Sequence, residues 1–210
     1  MPRVGDAYLA GRRRQILQAA TACFAREGFH RATMQQIVAE ARLSPGAIYR
    51  YFRSKEEIVE TLARQRHGEE RALLRRALAS EDPLGGLRDL GRELLGRLAD
   101  PAERERRRLG IQLWAEALRH PRILRIVRRG VDEPRALLTR LVERAQARGD
   151  VPRSLDAEAA ARALIALFQG FVLQAAWDPR ADLGGYQSLL AGLLPPRGPS
   201  GRRRGSARGR

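Results

Sequence analysis

Residues 33–55, TMQQIVAEARLSPGAIYRYFRSK, decide the fold of this chain. Thr33 is followed three residues later by Gln36, a capping-box pattern that predicts the beginning of a helix. Ser44 before Pro45 predicts the beginning of a second helix, because a proline at the first helical position loses no hydrogen bond. The stretch is therefore predicted to fold as a helix, a tight turn and a second short helix.

Helical spacing continues on both sides of this stretch. Upstream, Ile16, Ala20 and Phe24 recur at helical spacing, and Gly28 follows as glycine commonly does after a helix end. Downstream, a capping box that begins at Ser54 predicts a long helix, and later Asp-Pro and His-Pro pairs predict further helix starts. No stretch alternates in the manner of a strand. The sequence predicts an all-α fold of about nine helices.

The predicted helices divide the chain into two domains and a tail. Residues 1–54 are predicted to form a helix-turn-helix domain, and residues 55–196 a larger helical domain. Residues 197–210 show no periodicity and are rich in arginine, so we expect a disordered basic tail. Pro134 lies inside the helical stretch 121–148, which predicts a helix that is either kinked or split.

Positive charge is concentrated at the two ends of the chain, whose formal net charge is +16. Residues 1–55 contain ten basic and three acidic side chains, and residues 197–210 contain six arginines and no acid. A basic cluster of this kind suits a polyanion, most simply nucleic acid. A GC-rich coding sequence would also explain the preference for arginine over lysine, but it does not explain why the excess lies at the ends.

Several classes of protein are disfavoured by the composition. The single cysteine, Cys23, excludes an intrachain disulfide and a multi-cysteine metal site. The three histidines, His30, His67 and His120, are scattered and lack metal-ligand spacing. A glycine-rich phosphate loop and a nucleophile elbow are both missing from the sequence. We therefore expect no enzyme, no cofactor and no metal.

A cytoplasmic location is expected, because the first residues contain no apolar run of the kind that marks a signal peptide. The longest apolar stretch, residues 163–177, is interrupted by Gln169, Gly170 and Gln174. It is shorter than the roughly 20 apolar residues that a membrane-spanning helix needs. We expect a helix buried on most sides within the protein, and no membrane partner.

The second short helix has the features of a DNA-reading element. Its start, residues 44–47, is small and can approach base edges in the major groove. Ile48 and Phe52 are four residues apart and are expected to face inward, which leaves a polar set to bind phosphates: Tyr49, Arg50 and Tyr51. Lys55 and Thr33 each stand at the amino end of a predicted helix, where backbone N–H groups favour an anion. The sequence predicts binding to double-stranded DNA.

These residues resemble the TetR family of bacterial transcriptional regulators. The resemblance is carried by a set of positions between residues 16 and 55: Ile16, Ala20, Phe24, Gly28, Thr33, Ile37, Ala41, Ser44, Gly46, Ile48, Tyr49, Tyr51, Phe52, Ser54 and Lys55. It implies a three-helix DNA-reading head at the amino end. It also implies a carboxy-terminal helical domain that dimerises and holds a small ligand.

The resemblance also implies roles for individual residues. Four side chains would grip phosphates: Thr33, Tyr49, Tyr51 and Lys55. Another set would lie nearest the bases: Gln35, Ser44, Pro45, Gly46, Ala47 and Arg50.

Two helices in the second domain are candidates for a homodimer interface. The helices near residues 156–176 and 182–194 are apolar or small around most of their circumference, so each must be buried on more than one side. Paired across a two-fold axis they would form a four-helix interface, which suits a palindromic operator. The alternative is that both helices fill the core of a single chain.

A ligand pocket is expected in the same domain. Trp114 and Gln112 lie on one predicted helix, and Phe168 and Phe171 lie on another. An apolar pocket with a few polar groups is the usual form of a ligand site, although aromatic residues at helical spacing are also common in plain cores.

The leading hypothesis is therefore a ligand-responsive transcriptional regulator, a repressor that leaves its palindromic operator when a small-molecule effector binds the second domain. The alternative is a non-specific or architectural DNA-binding protein, for which the basic tail is the motivation.

Overall fold

The computed structural model describes residues 5–178 and 180–193. Across these residues the chain forms nine α-helices and no strand: α1 (Asp6–Arg31), α2 (Met34–Ala41), α3 (Pro45–Tyr49), α4 (Lys55–Ala79), α5 (Pro83–Arg97), α6 (Pro101–Ala117), α7 (Pro121–Ala147), α8 (Ala157–Trp177) and α9 (Leu183–Leu193). The predicted all-α fold of about nine helices is confirmed. The predicted basic tail, residues 197–210, lies outside the described residues, as do residues 194–196.

Local signals set the ends of the first helices. α1 contains a break at Gly28, whose φ of 78° suits glycine, and this is the residue at which the sequence predicted a helix end. At the start of α2, the Thr33 side chain accepts the Gln36 N–H while the Gln36 side chain accepts the Thr33 N–H. α1 begins at Asp6, ten residues before Ile16, and its exposed first turns carry no apolar stripe that would reveal them in the sequence.

The amino-terminal helices α1–α3, called the head below, share one core with the helices that follow. Its largest buried side chains are completely buried, and they belong to the same cluster as Ile58 of α4: Ile16, Phe24, Ile37, Ile48 and Phe52. The same cluster continues into α6 through Leu109 and Leu113, and into α7 through Ile123. The head is therefore packed directly against the second half of the chain.

α5, α6 and α8 assemble around α4 and α7, and α9 packs against α5. α4 packs against α5 and α7, while α7 also packs against α6 and α8. α7 runs through Pro134 as a single helix, so of the two predicted alternatives, a kinked or a split helix, the split helix is excluded.

α8 is less buried within one chain than the sequence suggested. Its buried residues, Ala161, Phe171, Val172 and Ala175, form only part of its circumference. By length and composition it is the one described helix apolar enough to cross a membrane, and only 22% of its most apolar window is buried. The expectation of burial on most sides is therefore not met by this chain alone.

Gly86 of α5 provides a test of the packing between α4 and α5. A Cβ atom at this position would lie 2.5 Å from the carbonyl oxygen of Ala77 in α4. Because the backbone of α4 would have to shift to make room for the methyl group, we expect Gly86→Ala to lower the free energy of unfolding by about 1–3 kcal/mol. Urea denaturation followed by far-UV circular dichroism measures this change.

Gly68→Ala in α4 is the matched control, because a Cβ there meets nothing within 4 Å. We expect this variant to be neutral or stabilised by about 0.5–1 kcal/mol. Equal unfolding free energies for the two variants would contradict the predicted close approach of α4 and α5.

Candidate DNA-binding surface and ligand cavity

α3 presents a small, open edge at its amino end. The Ser44 hydroxyl accepts the Ala47 N–H at 3.3 Å, and Pro45 occupies the first turn, so the start of the helix is fixed without bulky groups. Ile48 is completely buried on the opposite side. Ser44, Pro45 and Gly46 are exposed, and a Cβ on Gly46 would meet nothing within 4 Å. The edge can therefore approach another surface closely.

The polar residues predicted to contact DNA differ in how exposed their side chains are. Tyr49 is 49% exposed, and both Gln35 and Arg50 are exposed. Tyr51 is half-buried and packs against the core of the head. Thr33 is exposed, but its hydroxyl is engaged with Gln36 within the capping box. Tyr49, Gln35 and Arg50 are thus the side chains most available to a ligand outside the protein.

The ammonium group of Lys55 is hydrogen-bonded within the protein, and its contact with a phosphate stays a prediction. Lys55 Nζ donates hydrogen bonds to three backbone carbonyl oxygens at the end of α1, those of Phe29 (2.9 Å), His30 (2.9 Å) and Ala32 (3.1 Å). It also lies 4.7 Å from the centroid of the Phe29 ring. Carbonyls at a helix end attract a cation. The ammonium group of Lys55 therefore binds the carboxyl end of α1.

Gln112, which was predicted to lie in the ligand pocket, does not line the cavity described below. Its side-chain oxygen accepts the backbone N–H of Phe29 at 3.1 Å, just after the break at Gly28. Residues two apart on a helix do not share a face, so Gln112 and Trp114 point to different neighbours. Gln112 connects α6 to the same turn of the head that Lys55 holds.

A cavity of about 490 Å³ lies between α4, α5, α6, α7 and α8. Trp114, Phe168 and Phe171 line it, together with many aliphatic side chains. Phe171 is additionally stacked on Tyr186 of α9, with ring centroids 4.3 Å apart. The volume and the mostly apolar lining are those of a typical small-molecule site.

The cavity wall contains a cluster of four charged side chains that was not predicted from the sequence. Arg66 and Glu70 of α4 face Glu103 and Arg107 of α6, and all four side chains are at most 24% exposed. Four ion pairs close the cluster: Arg66–Glu70 (3.2 Å), Arg66–Glu103 (3.1 Å), Arg107–Glu70 (2.9 Å) and Arg107–Glu103 (2.7 Å). The signal that could have revealed them is the spacing of four residues within each helix.

The electrostatics of this cluster are dominated by burial and by the two arginines. Burial lowers the pKa of Arg66, and the neighbouring Arg107 lowers it further. Burial acts to raise the pKa of Glu103, but the attraction of Arg66 and Arg107 leaves it below its ordinary value. The two guanidinium groups therefore stabilise the ionised form of the Glu103 carboxylate.

A short helix with an open edge, joined through one core to a helical unit that encloses an apolar cavity, defines a helix-turn-helix transcriptional regulator. Two family models match the chain. The model of bacterial regulatory proteins of the tetR family matches residues 16–62, and that of the BetI-type transcriptional repressor, C-terminal, matches residues 83–194. Since the second model alone covers more than half of the sequence, the chain belongs to the TetR family of bacterial transcriptional regulators.

Individual relatives agree with this assignment. The regulator UidR of Escherichia coli strain K12 is 28% identical over 188 residues, which cover 87% of this chain and 92% of UidR. The regulator TtgR of Pseudomonas putida is 33% identical over 164 residues, covering 76% of this chain and 78% of TtgR. The structure of Salmonella enterica GusR superimposes with a TM-score of 0.73 at 26% identity, over 92% of this chain and 99% of GusR.

The protein is therefore a DNA-binding transcriptional regulator. The TetR family consists of regulators rather than enzymes, and it includes ligand-responsive repressors.

Proposed function

We propose that this regulator is a homodimeric cytoplasmic repressor, which leaves a palindromic operator when a small molecule enters the cavity. The observation that carries the proposal is the position of α4. Lys55 at its first turn holds the end of α1, while Val59 and Leu62 farther along line the cavity. A change in the cavity wall is therefore transmitted to the DNA-reading head by one rigid helix.

The two functions are assigned to the two sides of the start of α4. Residues 1–54 read the DNA, and residues 55–196 bind the effector and the second copy. The core shared by α1, α4 and α6 supports mechanical coupling between the two parts, because packed interiors transmit displacement rather than absorb it.

The proposed DNA surface is centred on the open edge of α3. Ser44, Pro45, Gly46 and Ala47 would lie against base edges, with Gln35 and Arg50 beside them. Tyr49 and Tyr51 would bind phosphates through their hydroxyl groups. The amino ends of α2, at Thr33, and of α4, at Lys55, would bind phosphates through backbone N–H groups.

The proposed homodimer uses α8 and α9. Most of the apolar window of α8 is unburied in one chain, and Trp177 at its end is 73% exposed. α9 lies beside it, with Tyr186 stacked on Phe171 of α8. A second copy related by a two-fold axis would cover both helices and present two reading heads.

Selection from a pool of random duplexes tests the proposal. We expect enrichment of a palindrome whose half-sites lie about one helical turn apart, roughly 34–36 Å, or somewhat more. Competition with unrelated duplex at several salt concentrations then gives the specificity ratio. Binding of all sequences with equal affinity would overturn the repressor proposal and favour an architectural DNA-binding protein.

Tyr49→Phe is expected to weaken operator binding about tenfold, because it removes one hydroxyl hydrogen bond to a charged phosphate. The loss should be similar for every sequence tested, since a phosphate contact carries no base information. Fluorescence anisotropy with labelled duplex measures the dissociation constants.

Tyr8→Phe is the matched control for this prediction. Tyr8 is 54% exposed on α1 and lies outside the proposed DNA surface. Its substitution should leave operator affinity within about twofold of the original. An unchanged affinity for Tyr49→Phe would remove Tyr49 from the phosphate contacts.

A further inference from the structure

Each charged side chain in the described wall of the cavity has an oppositely charged partner. In the cluster of four, two guanidinium groups face two carboxylates, so the cluster is balanced and each member binds two others. Arg106 lies 2.9 Å from Glu103. Arg97 lies 2.8 Å from Glu93 and 3.9 Å from Glu69. The wall therefore offers a ligand no charge that lacks a partner within the described residues.

A charged effector is disfavoured by this pairing. An ion that enters an apolar cavity loses its hydration, and an unpaired counter-charge is needed to compensate that loss. An anion that binds Arg107 competes with Glu70 and Glu103, and a cation that binds either carboxylate competes with the arginines. Either exchange leaves one charge of the wall without its partner. The wall therefore favours an effector without charge.

Three half-buried, uncharged polar side chains of the wall have no hydrogen-bond partner among residues 5–178 and 180–193: His67 of α4, Trp114 of α6 and Gln169 of α8. Their polar atoms are not fully enclosed by protein, so a small molecule can reach them. Burial lowers the pKa of His67, which favours the uncharged imidazole. The hydrogen-bonding groups that the wall offers to a ligand are therefore neutral.

The indole N–H of Trp114 specifies what such a ligand must carry. This group donates a hydrogen bond and cannot accept one. The ring packs against an apolar cluster that includes Leu95 and Phe171. A purely apolar ligand in this space would exclude water from the N–H and leave the donor unsatisfied. A ligand with an oxygen acceptor at the same point supplies the missing hydrogen bond.

We infer that the effector is an uncharged molecule whose apolar body carries an oxygen acceptor, a carbonyl, ether or hydroxyl oxygen, that binds the indole N–H of Trp114. This inference rests on the proposed function, since it names the chemical class of the molecule that enters the cavity. The apolar body lies among the aliphatic and aromatic side chains of the wall, with Phe168 among them. The ion pairs of the wall stay intact when this ligand binds.

Contact at Trp114 also places the effector beside a connection to the head. The preceding residue, Leu113, belongs to the core that α6 shares with the head. Gln112 accepts the backbone N–H of Phe29 at 3.1 Å. A ligand that displaces α6 at Trp114 therefore moves the turn after Gly28, because packed interiors transmit displacement.

Naphthalenes with heads of the same planar shape test the inference: 2-acetylnaphthalene, 2-isopropenylnaphthalene, naphthalene-2-carboxylate and naphthalene-2-carboxamidinium. The first carries an uncharged acceptor, the second carries no polar atom, and the other two carry a negative and a positive charge. The full-length protein is titrated at neutral pH into a dilute solution of each compound in a calorimeter. Operator release is followed in parallel by anisotropy with labelled duplex.

We expect 2-acetylnaphthalene to bind about tenfold more tightly than either charged compound, because neither charge finds an unpaired partner in the wall. At saturation it should release the operator, whereas the charged compounds at the same concentration should leave the operator bound.

Trp114→Phe keeps an aromatic ring and removes the N–H. We expect this variant to lose about fivefold more affinity for 2-acetylnaphthalene than for 2-isopropenylnaphthalene. Both compounds lose the same ring contact, and the ketone alone loses a hydrogen bond. Thermal melts establish that the variant is folded.

Should Trp114→Phe fail to fold, magnetic resonance of the unchanged protein replaces it. The chain contains two tryptophans, and Trp177→Phe identifies the indole N–H signal of Trp177 by its loss. The remaining signal, that of Trp114, should move farther downfield with 2-acetylnaphthalene than with 2-isopropenylnaphthalene, because hydrogen bonding deshields the donated proton.

Three outcomes would overturn the inference: equal or tighter binding of either charged compound, absence of binding by 2-acetylnaphthalene, or an equal loss of affinity for both uncharged compounds in Trp114→Phe. The proposed function fails separately, by loss of sequence-selective duplex binding without any ligand. A protein that selects an operator and releases it with naphthalene-2-carboxylate alone would keep the repressor proposal and refute the uncharged effector.

Discussion

Replacing Lys55 by methionine is expected to abolish tight operator binding and to lower the free energy of unfolding by about 3 kcal/mol. The ammonium group donates to the carbonyl oxygens of Phe29, His30 and Ala32. Methionine has similar length but no donor, so three acceptors at the end of α1 lose their partner. One unsatisfied buried polar group costs about 1–3 kcal/mol. Because the site is partly exposed, water can replace some of the lost hydrogen bonds, so we expect the three carbonyls together to cost about as much as one fully buried group.

Operator binding is expected to fall because these carbonyls fix the turn that precedes α2. Ala32 is directly followed by Thr33, whose capping box begins the helix-turn-helix unit. A displacement there moves α2 and α3 together. We expect operator affinity to fall about a hundredfold, since a shift of the reading helix loses several base and phosphate contacts at once.

Two further variants separate this explanation from a direct phosphate contact. Lys55→Arg keeps a charged donor at the end of α1 and should retain most of the stability. Arg64→Met removes an exposed positive charge from α4 and should change the unfolding free energy by less than about 0.5 kcal/mol. If Lys55→Met weakened DNA binding but left urea denaturation unchanged, the side chain would be a phosphate ligand and the inward role would be wrong.

Local signals predicted much of the head from the sequence alone. Thr33, Ser44 and Ser54 cap helices where the sequence placed them, and Gly28 breaks α1 at the expected residue. Each of these features depends on residues within one turn of each other. The steric and hydrogen-bonding preferences of the local chain therefore suffice to locate them.

The hydrogen-bond partners of long polar side chains could not be predicted in the same way. Lys55 stands at the amino end of its own helix, and the sequence placed it near phosphates, yet it binds carbonyls more than twenty residues away. Gln112 binds a backbone group 83 residues distant. Which neighbour such a side chain meets is decided by how the helices pack, and periodicity within one helix does not contain that information.

The second large effect is expected from Ala163→Arg in α8, which should convert the proposed dimer into a monomer and weaken operator binding about a hundredfold or more. Ala163 is exposed in the single chain and is not among the buried residues of α8. In the proposed dimer the two-fold axis would bring two introduced arginines together, and they would clash sterically and repel each other electrostatically. An arginine at an exposed position does not disturb the interior, so the chain should keep its helical content and melt as a folded monomer.

The loss of DNA affinity follows from the geometry of two linked heads. In a dimer, once one head is bound, the other engages its half-site at a high effective concentration, and a monomer lacks this advantage. Light scattering should report a mass near the 23.5 kDa of one chain for the variant and twice that for the original protein. Ala136→Arg on the exposed face of α7 introduces the same group outside α8 and should leave both mass and affinity unchanged. A variant at Ala163 that remained dimeric would show that the chain pairs through a different surface, and the two reading heads would then have to be placed on the operator by that other contact.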